Sequence, residues 1–162
     1  DRYAETPQAQ AGLKRLRQYL ERTPPPDLHH AAMLLWASTR LPGLLREEQR
    51  GQIIADLKSR QQRDGGWALP ALGHYKRRDG SPNDPQAPSD GYATGMVTFI
   101  LLQAGLPPQD PVLVKARQWL LQHQRDSGRW FTRSLNNDKA HYITNIGTAF
   151  CVLALQQFPE TR

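Results

Sequence analysis

The sequence predicts an all-α protein built as an array of helical hairpins, and three observations carry that expectation. Apolar residues recur at helical spacing in about six separate stretches. Stops and starts made of Pro, Gly and Asp separate the stretches, and no convincing strand pattern lies between them. Strongly apolar segments alternate with amphipathic ones, as expected where every second helix is enclosed by its neighbours.

Leu13, Leu16, Tyr19 and Leu20 define the first helix, which Thr23 and the Pro24-Pro25-Pro26 block end. Asp27 follows as a helix N-cap for Leu28 to Thr39, where Ala31, Ala32, Met33, Leu34, Leu35 and Trp36 predict burial on most faces. After Pro42-Gly43, the stretch Leu44 to Gln62 is amphipathic. It sets Leu45, Ile53, Ile54 and Leu57 against Arg46, Glu47, Arg50 and Lys58, and ends at Asp64-Gly65-Gly66. A Pro-rich loop from Ala68 to Ser89, with Pro70, Pro82, Pro85 and Pro88, precedes the next apolar helix, Asp90 to Ala104. Gly105 and Pro107-Pro108 stop that helix. Asp110-Pro111 opens an amphipathic helix to Gln124, with Asp as cap and Pro where the amide has no helical partner. The last helix, Thr144 to Phe158, is again nearly all apolar.

The 162 residues suit one domain with an ordinary core, and we treat 1–162 as a single unit cut from a longer chain, since it begins at Asp1. No apolar run is longer than Ala149 to Leu155, which is too short to span a membrane. A lone Cys151 excludes an internal disulfide framework and leaves the compartment open. The net charge of +6 would suit a polyanion if it were focused. The basic residues are dispersed among carboxylates and no base-reading motif is present, so nucleic acid is not expected as a partner.

Internal similarity sharpens the picture. Gln62-Arg63-Asp64-Gly65-Gly66-Trp67 matches Gln124-Arg125-Asp126-Ser127-Gly128-Arg129-Trp130 with one inserted residue, and each closes an amphipathic helix. Downstream, Tyr92-Ala93-Thr94 with Thr98 matches Tyr142-Ile143-Thr144 with Thr148. A Gln followed by Asp-Gly-Gly-Trp at the end of an outer helix resembles the Gln-Trp repeat of triterpene cyclases such as squalene–hopene cyclase, and of protein prenyltransferase β subunits. The stretches Ser89 to Gly95, Ser127 to Asn136 and Tyr142 to Asn145 are similar to squalene-cyclase-type repeat domains of bacterial multidomain proteins. The resemblance covers most of residues 9 to 158. It implies an α/α-toroid of alternating outer and inner helices, of which this length supplies about half a ring.

For function, the resemblance implies an isoprenoid or other apolar ligand. It leaves catalysis open, because the cyclase Asp-x-Asp-Asp acid motif is reduced to Asp90-Gly91-Tyr92-Ala93-Thr94. Protonating an alkene calls for a coupled, buried acid rather than a solitary carboxylate, so Asp90 reads first as a helix cap, with a catalytic acid as the alternative. The Asp, Cys and His zinc ligands of the prenyltransferases have no match at the corresponding helix start, and His29-His30 point to different helix faces, so no metal and no cofactor is expected. Tyr92, Phe99 and Phe150 are the candidate apolar lining, with plain core packing as the alternative. Arg133, Asn136, His141 and Asn145 are the candidate polar contacts, suited to a phosphate or carboxylate, or else to satisfying helix ends. The competing class is a non-catalytic scaffold that presents its repeats to a partner, to flanking domains, or to another copy of itself. The Ala68 to Ser89 loop separates the readings: a roof over a pocket holding Asp90 and Tyr92 favours a ligand, and flat packing favours a scaffold.

Overall fold

A computed structural model describes residues 3–84 and 86–159. Pro85, and the ends of the 1–162 unit, lie outside these. The described residues form six α-helices and no strand: α1 Pro7–Arg22, α2 Leu28–Ser38, α3 Glu47–Ser59, α4 Gly91–Gln103, α5 Pro111–Gln122 and α6 Ile143–Leu155. The inserted loop adds a short 3-10 turn at Leu69–Ala71 and one isolated bridge, Lys76 to Pro82.

Side-chain oxygens satisfy the orphan amides at four helix starts. Thr6 accepts from Ala9 N–H, Asp27 from His30 N–H, Asp90 from Ala93 N–H and Asp110 from Val112 N–H. Helix α3 starts at Glu47 rather than Leu44, because Leu44 is held in a turn to Leu41 and Gln49 reaches back to the Arg46 amide. Helix α6 ends at Leu155, short of Phe158.

Helix α4 is the centre of the array and packs against α2, α5 and α6, while α2 also packs on α3. Every residue from Gly91 to Leu101 is buried, on a helix apolar all round. Helix α1, at one end, contributes no buried residue. The α4–α6 contact is very close: a Cβ on Gly95 would lie 2.6 Å from the Cys151 amide nitrogen, and one on Gly147 would lie 2.9 Å from that of Tyr92.

The two tryptophan turns repeat each other bond for bond, but in a different register from the one the sequence suggests. Trp67 Nε1 donates to Leu57 O and Trp130 Nε1 to Leu120 O, both at 2.7 Å. Gln61 Nε2 donates to Gly65 O and Gln124 Nε2 to Gly128 O. Gly65 and Gly128 share positive φ, +92° and +77°, where a side chain would be strained. The repeat glutamine is therefore Gln61 rather than Gln62, and no residue is inserted.

The second register differs by one helical turn. Trp67 N–H donates to Thr94 Oγ1 and Trp130 N–H to Thr148 Oγ1, while Leu69 N–H donates to Asp90 Oδ2 and Thr132 N–H to Thr144 Oγ1. Thr94 thus corresponds to Thr148 and Asp90 to Thr144. The shared Tyr-x-Thr spelling aligned Thr94 with Thr144, whereas the bond that ties each turn to its inner helix fixes the other pairing.

Candidate functional site

The strongest convergence of chemically distinctive side chains runs along the meeting faces of α2, α4 and α6. Trp36 meets Phe99 edge to face at 5.3 Å and Phe150 at 6.1 Å, and Phe99 and Phe150 lie 6.1 Å apart. Tyr92 meets Phe150 at 5.7 Å, stacks on His29 at 5.8 Å, and His29 meets Tyr75 at 6.3 Å. One aromatic wall therefore extends from Tyr75 in the inserted loop to Trp36. Such edge-to-face pairs add about 0.5–1.5 kcal/mol each beyond area burial. Tyr92 and Phe99 are buried, whereas Trp36 and Phe150 are only partly so and form the open edge of the wall.

The end of the wall nearest the helix starts is polar. Tyr92 Oη and His29 Nε2 are 2.9 Å apart, while His29 Nδ1 and Tyr75 Oη are buried without a hydrogen-bond partner. Burial, reinforced by His30 and opposed by Asp27, holds the His29 pKa below its ordinary value and favours the neutral ring. Burial likewise pushes both the Tyr75 and Tyr92 phenols up, with the Asp27 and Asp90 charges adding respectively. Burial opposes ionisation of Asp27, but hydrogen bonds and charge from His30 outweigh it and lower its pKa. Asp27, His29 and His30 bring ligand-type atoms within 4.8 Å of one another, a grouping that adjacent histidines on different helix faces did not suggest. The His30 ring bonds Asp27 Oδ1 at 2.7 Å, and the His29 ring is turned to Tyr92.

Asp90 serves as a structural junction. Its Oδ1 accepts from Ala93 N–H and Thr132 Oγ1, and its Oδ2 accepts from Leu69 N–H at 2.6 Å. Burial pushes its pKa up to about 6, against the pull of these hydrogen bonds. Cys151 lies nearby with Sγ on Gly91 O, and burial followed by the Asp90 charge raises its thiol pKa, which keeps it protonated and unreactive.

The four polar candidates divide. His141 and Asn145 line an open cleft of about 500 Å³ together with Arg125, Arg129 and Lys139. Arg133 is instead clamped on Asp138 through Nε at 2.7 Å and Nη2 at 2.9 Å, and Asp138 also takes Arg77. These arginines hold the Asp138 carboxyl well below its usual range. Asn136 uses its carbonyl to accept from Arg78 N–H, which ties the two loops together. His141 and Asn145 therefore share one cleft, while Arg133 is held by Asp138 and the Asn136 carbonyl by Arg78.

The inserted loop packs flat against the helices in its first part, the outcome expected of a scaffold, and in its second part walls a cleft other than the Asp90–Tyr92 pocket expected of a ligand site. Ala68, Leu69 and Leu72 are buried against the helices. The segment from Pro70 to Asn83 walls a cleft of about 610 Å³ that contains Asp27 and Tyr75 but neither Asp90 nor Tyr92. The signal missed in the sequence is thus His29 with Tyr75, whose meeting depends on the path of the loop.

No protein-family model matches the chain, and no solved structure matches it. What the structure defines is an all-helical protein of stacked hairpins, in which no described helix is long and apolar enough to cross a membrane.

Proposed function

We propose that this is a terpenoid-cyclase-like repeat domain that binds an isoprenoid or similarly apolar molecule against the aromatic wall, without the paired acid needed to start a cyclisation. The observation that carries this reading is that Tyr92, Phe99 and Phe150 meet at one place, joined by Trp36 and His29 from a third helix. An apolar chain lying on Trp36 and Phe150 would remove their remaining exposed surface from water. The unpartnered Tyr75 hydroxyl and His29 Nδ1 would take a single polar end, such as an alcohol. Both Asp90 oxygens are already occupied, which favours retention of a ligand over its protonation. A further hairpin, supplied by flanking segments of a longer chain, would wall off the open edge.

Titration with farnesol, followed by indole fluorescence and native mass spectrometry, tests the proposal. Trp67 and Trp130 are fully buried in their turns and Trp119 is stacked on His123, so Trp36 is the indole positioned to respond. Saturable quenching is expected, lost in Trp36→Phe, with affinity weakened about tenfold or more in Phe150→Ala, in line with one ring's apolar contact. Equal farnesol retention by the parent chain and Phe150→Ala would show those rings to be core alone.

A further inference from the structure

Beside the polar end of the aromatic wall, three side chains of metal-ligand type converge. Asp27, His29 and His30 each bring a carboxylate oxygen or a ring nitrogen within 4.8 Å of the other two. Adjacent histidines meet here because Asp27 turns back over the start of α2. Its Oδ1 takes both the His30 N–H at 2.9 Å and the His30 ring Nδ1 at 2.7 Å. The His29 ring is fixed from the other side, stacked on Tyr92 with Nε2 2.9 Å from Tyr92 Oη. Its second nitrogen, Nδ1, is buried without a hydrogen-bond partner, a costly state for a polar atom taken out of water.

The inserted loop closes the group. His29 N–H donates to Leu72 O at 2.8 Å, which ties the loop to the start of α2 and sets Gly73 and Tyr75 against Asp27. A Cβ on Gly73 would lie 2.8 Å from Asp27 Oδ2 and 2.9 Å from Tyr75 Oη. Glycine therefore keeps a gap between the second carboxylate oxygen and a phenol that is itself buried without a partner. Asp27, Gly73 and Tyr75 border the cleft of about 610 Å³, and the His30 side chain, 56% exposed, leaves a path from solvent.

We infer that this cluster binds a divalent metal ion of the zinc type, held by the Asp27 carboxylate, His29 Nδ1 and His30 Nδ1, with a fourth position open beside Tyr75. Two imidazoles and one carboxylate suit late first-row ions, whereas calcium and magnesium take mostly oxygen ligands. Arg60 and Lys76 on the wall of the same cleft point the same way, since they oppose a cation held by bulk negative charge alone. The ion takes the place of the hydrogen between His30 Nδ1 and Asp27 Oδ1, and the neutral ring keeps its proton on Nε2. Rotation of the exposed His30 ring brings the donors to the spacing of about 3.3 Å that a tetrahedral zinc ion sets. Tyr92 Oη accepts from His29 Nε2–H, the outer hydrogen bond that leaves the Nδ1 lone pair for the metal. Three protein ligands leave one position for an oxygen from outside, with Tyr75 Oη next to it. The inference stands without the apolar ligand, whose polar end would meet the ion at that open position.

Isothermal titration calorimetry of the full chain with zinc chloride is the test, after dialysis against a chelator and with no farnesol present. One equivalent of zinc is expected to bind, undiminished by millimolar magnesium, and cobalt(II) should show the visible absorption of a four- or five-coordinate site. Asp27→Asn keeps the helix cap, since asparagine caps as well as aspartate, and His30→Ala alters an exposed ring, so circular dichroism should show both folded. Each should weaken zinc binding about tenfold or more, whereas His123→Ala, at the end of α5, should leave it unchanged. Zinc should also raise the Tm of the parent chain and not that of Asp27→Asn. Absence of zinc binding, or equal binding by the parent and both variants, overturns the inference and leaves Asp27 and His30 as a helix-cap contact. Weakening in only one of the two variants overturns it as well, because the site needs both side chains. Failure here leaves the farnesol titration as it stands, so the two readings fall separately.

Discussion

Helices α4 and α6 are close to equals in sequence, each an apolar thirteen-residue segment without a charged side chain, yet the structure treats them differently. Helix α4 is buried from Gly91 to Leu101, whereas α6 buries only Thr144, Gly147, Cys151 and Ala154, the side that meets the array. The burial of an inner helix is therefore set by how many neighbours the repeat supplies rather than by its own composition. Helix α4 has a hairpin on each side, and α6 has one.

The sharpest break of that comparison uses one substitution at two equivalent positions. A side chain at Gly95 must displace the backbone of Cys151, since even a Cβ would lie 2.6 Å from its amide nitrogen. Gly95→Val is expected to cost about 4 kcal/mol, toward the upper end of overpacking penalties and beyond any gain in helix propensity. Ala149→Val, at the corresponding place on α6, meets solvent and should cost roughly 0.5 kcal/mol, the difference in helix propensity. Urea unfolding of the two variants measures both. Equal losses would mean that the α6 face is already enclosed or that the register is wrong.

A smaller effect separates the helix starts. Asp90 and Thr144 hold equivalent backbone amides, those of Leu69 and Thr132, but only Asp90 titrates. Its folded pKa of about 6 lies above the ordinary 3.8. Between those values the folded chain keeps a proton that the unfolded chain has released. The Asp90 contribution is thus fully present below about pH 4 and is lost as pH rises through 6, by an amount on the order of 3 kcal/mol. Asp27 and Asp110 act in the opposite sense, because their lowered pKa values stabilise the fold above pH 3.8 and lose that effect as pH falls further. His29, whose lowered pKa adds stability as pH rises toward 6.5, opposes Asp90 in this window, so the Asp90 effect is read as a difference. In chemical denaturation between pH 4 and 7, Asp90→Asn should gain stability with rising pH relative to the parent chain. A slope unchanged in Asp90→Asn would mean that Asp90 keeps no extra proton in the folded chain.

Much of this was legible in the sequence, and the failures have physical causes. Apolar periodicity located six helices, and Asp27, Asp90 and Asp110 cap as expected, since a cap depends only on residues a turn away. The two tryptophan turns were visible as spelling, but their register was not, because similar letters at Tyr92 and Tyr142 outweighed the bonds. Asp90 with Thr94, and Thr144 with Thr148, share a four-residue spacing of polar oxygens on apolar helices, which was the available clue. Tyr92, Phe99 and Phe150 could be grouped because they lie on apolar helices. Tyr75 reaches His29 through an irregular loop, where periodicity carries no information, and Arg133 met Asp138 for the same reason.

The mildest test exchanges one hydroxyl between the two helices. Thr98 is completely buried on α4 and its Oγ1 has no hydrogen-bond partner, while the corresponding residue on α6 is Val152, 43% exposed. An unmade hydrogen bond in an apolar interior costs about 1–3 kcal/mol, part of which a methyl group of the same shape recovers. Thr98→Val should therefore stabilise the fold by about 1 kcal/mol, raising Tm by roughly 2–4 °C for a domain of this size. Val152→Thr should leave Tm within about 1 °C, because water satisfies the new hydroxyl at an exposed site where substitutions matter little. If Val152→Thr instead lowered Tm, with the loss growing at higher protein concentration, that side of α6 would be covered in solution by a neighbour, and the contrast with α4 would be a property of the isolated chain alone.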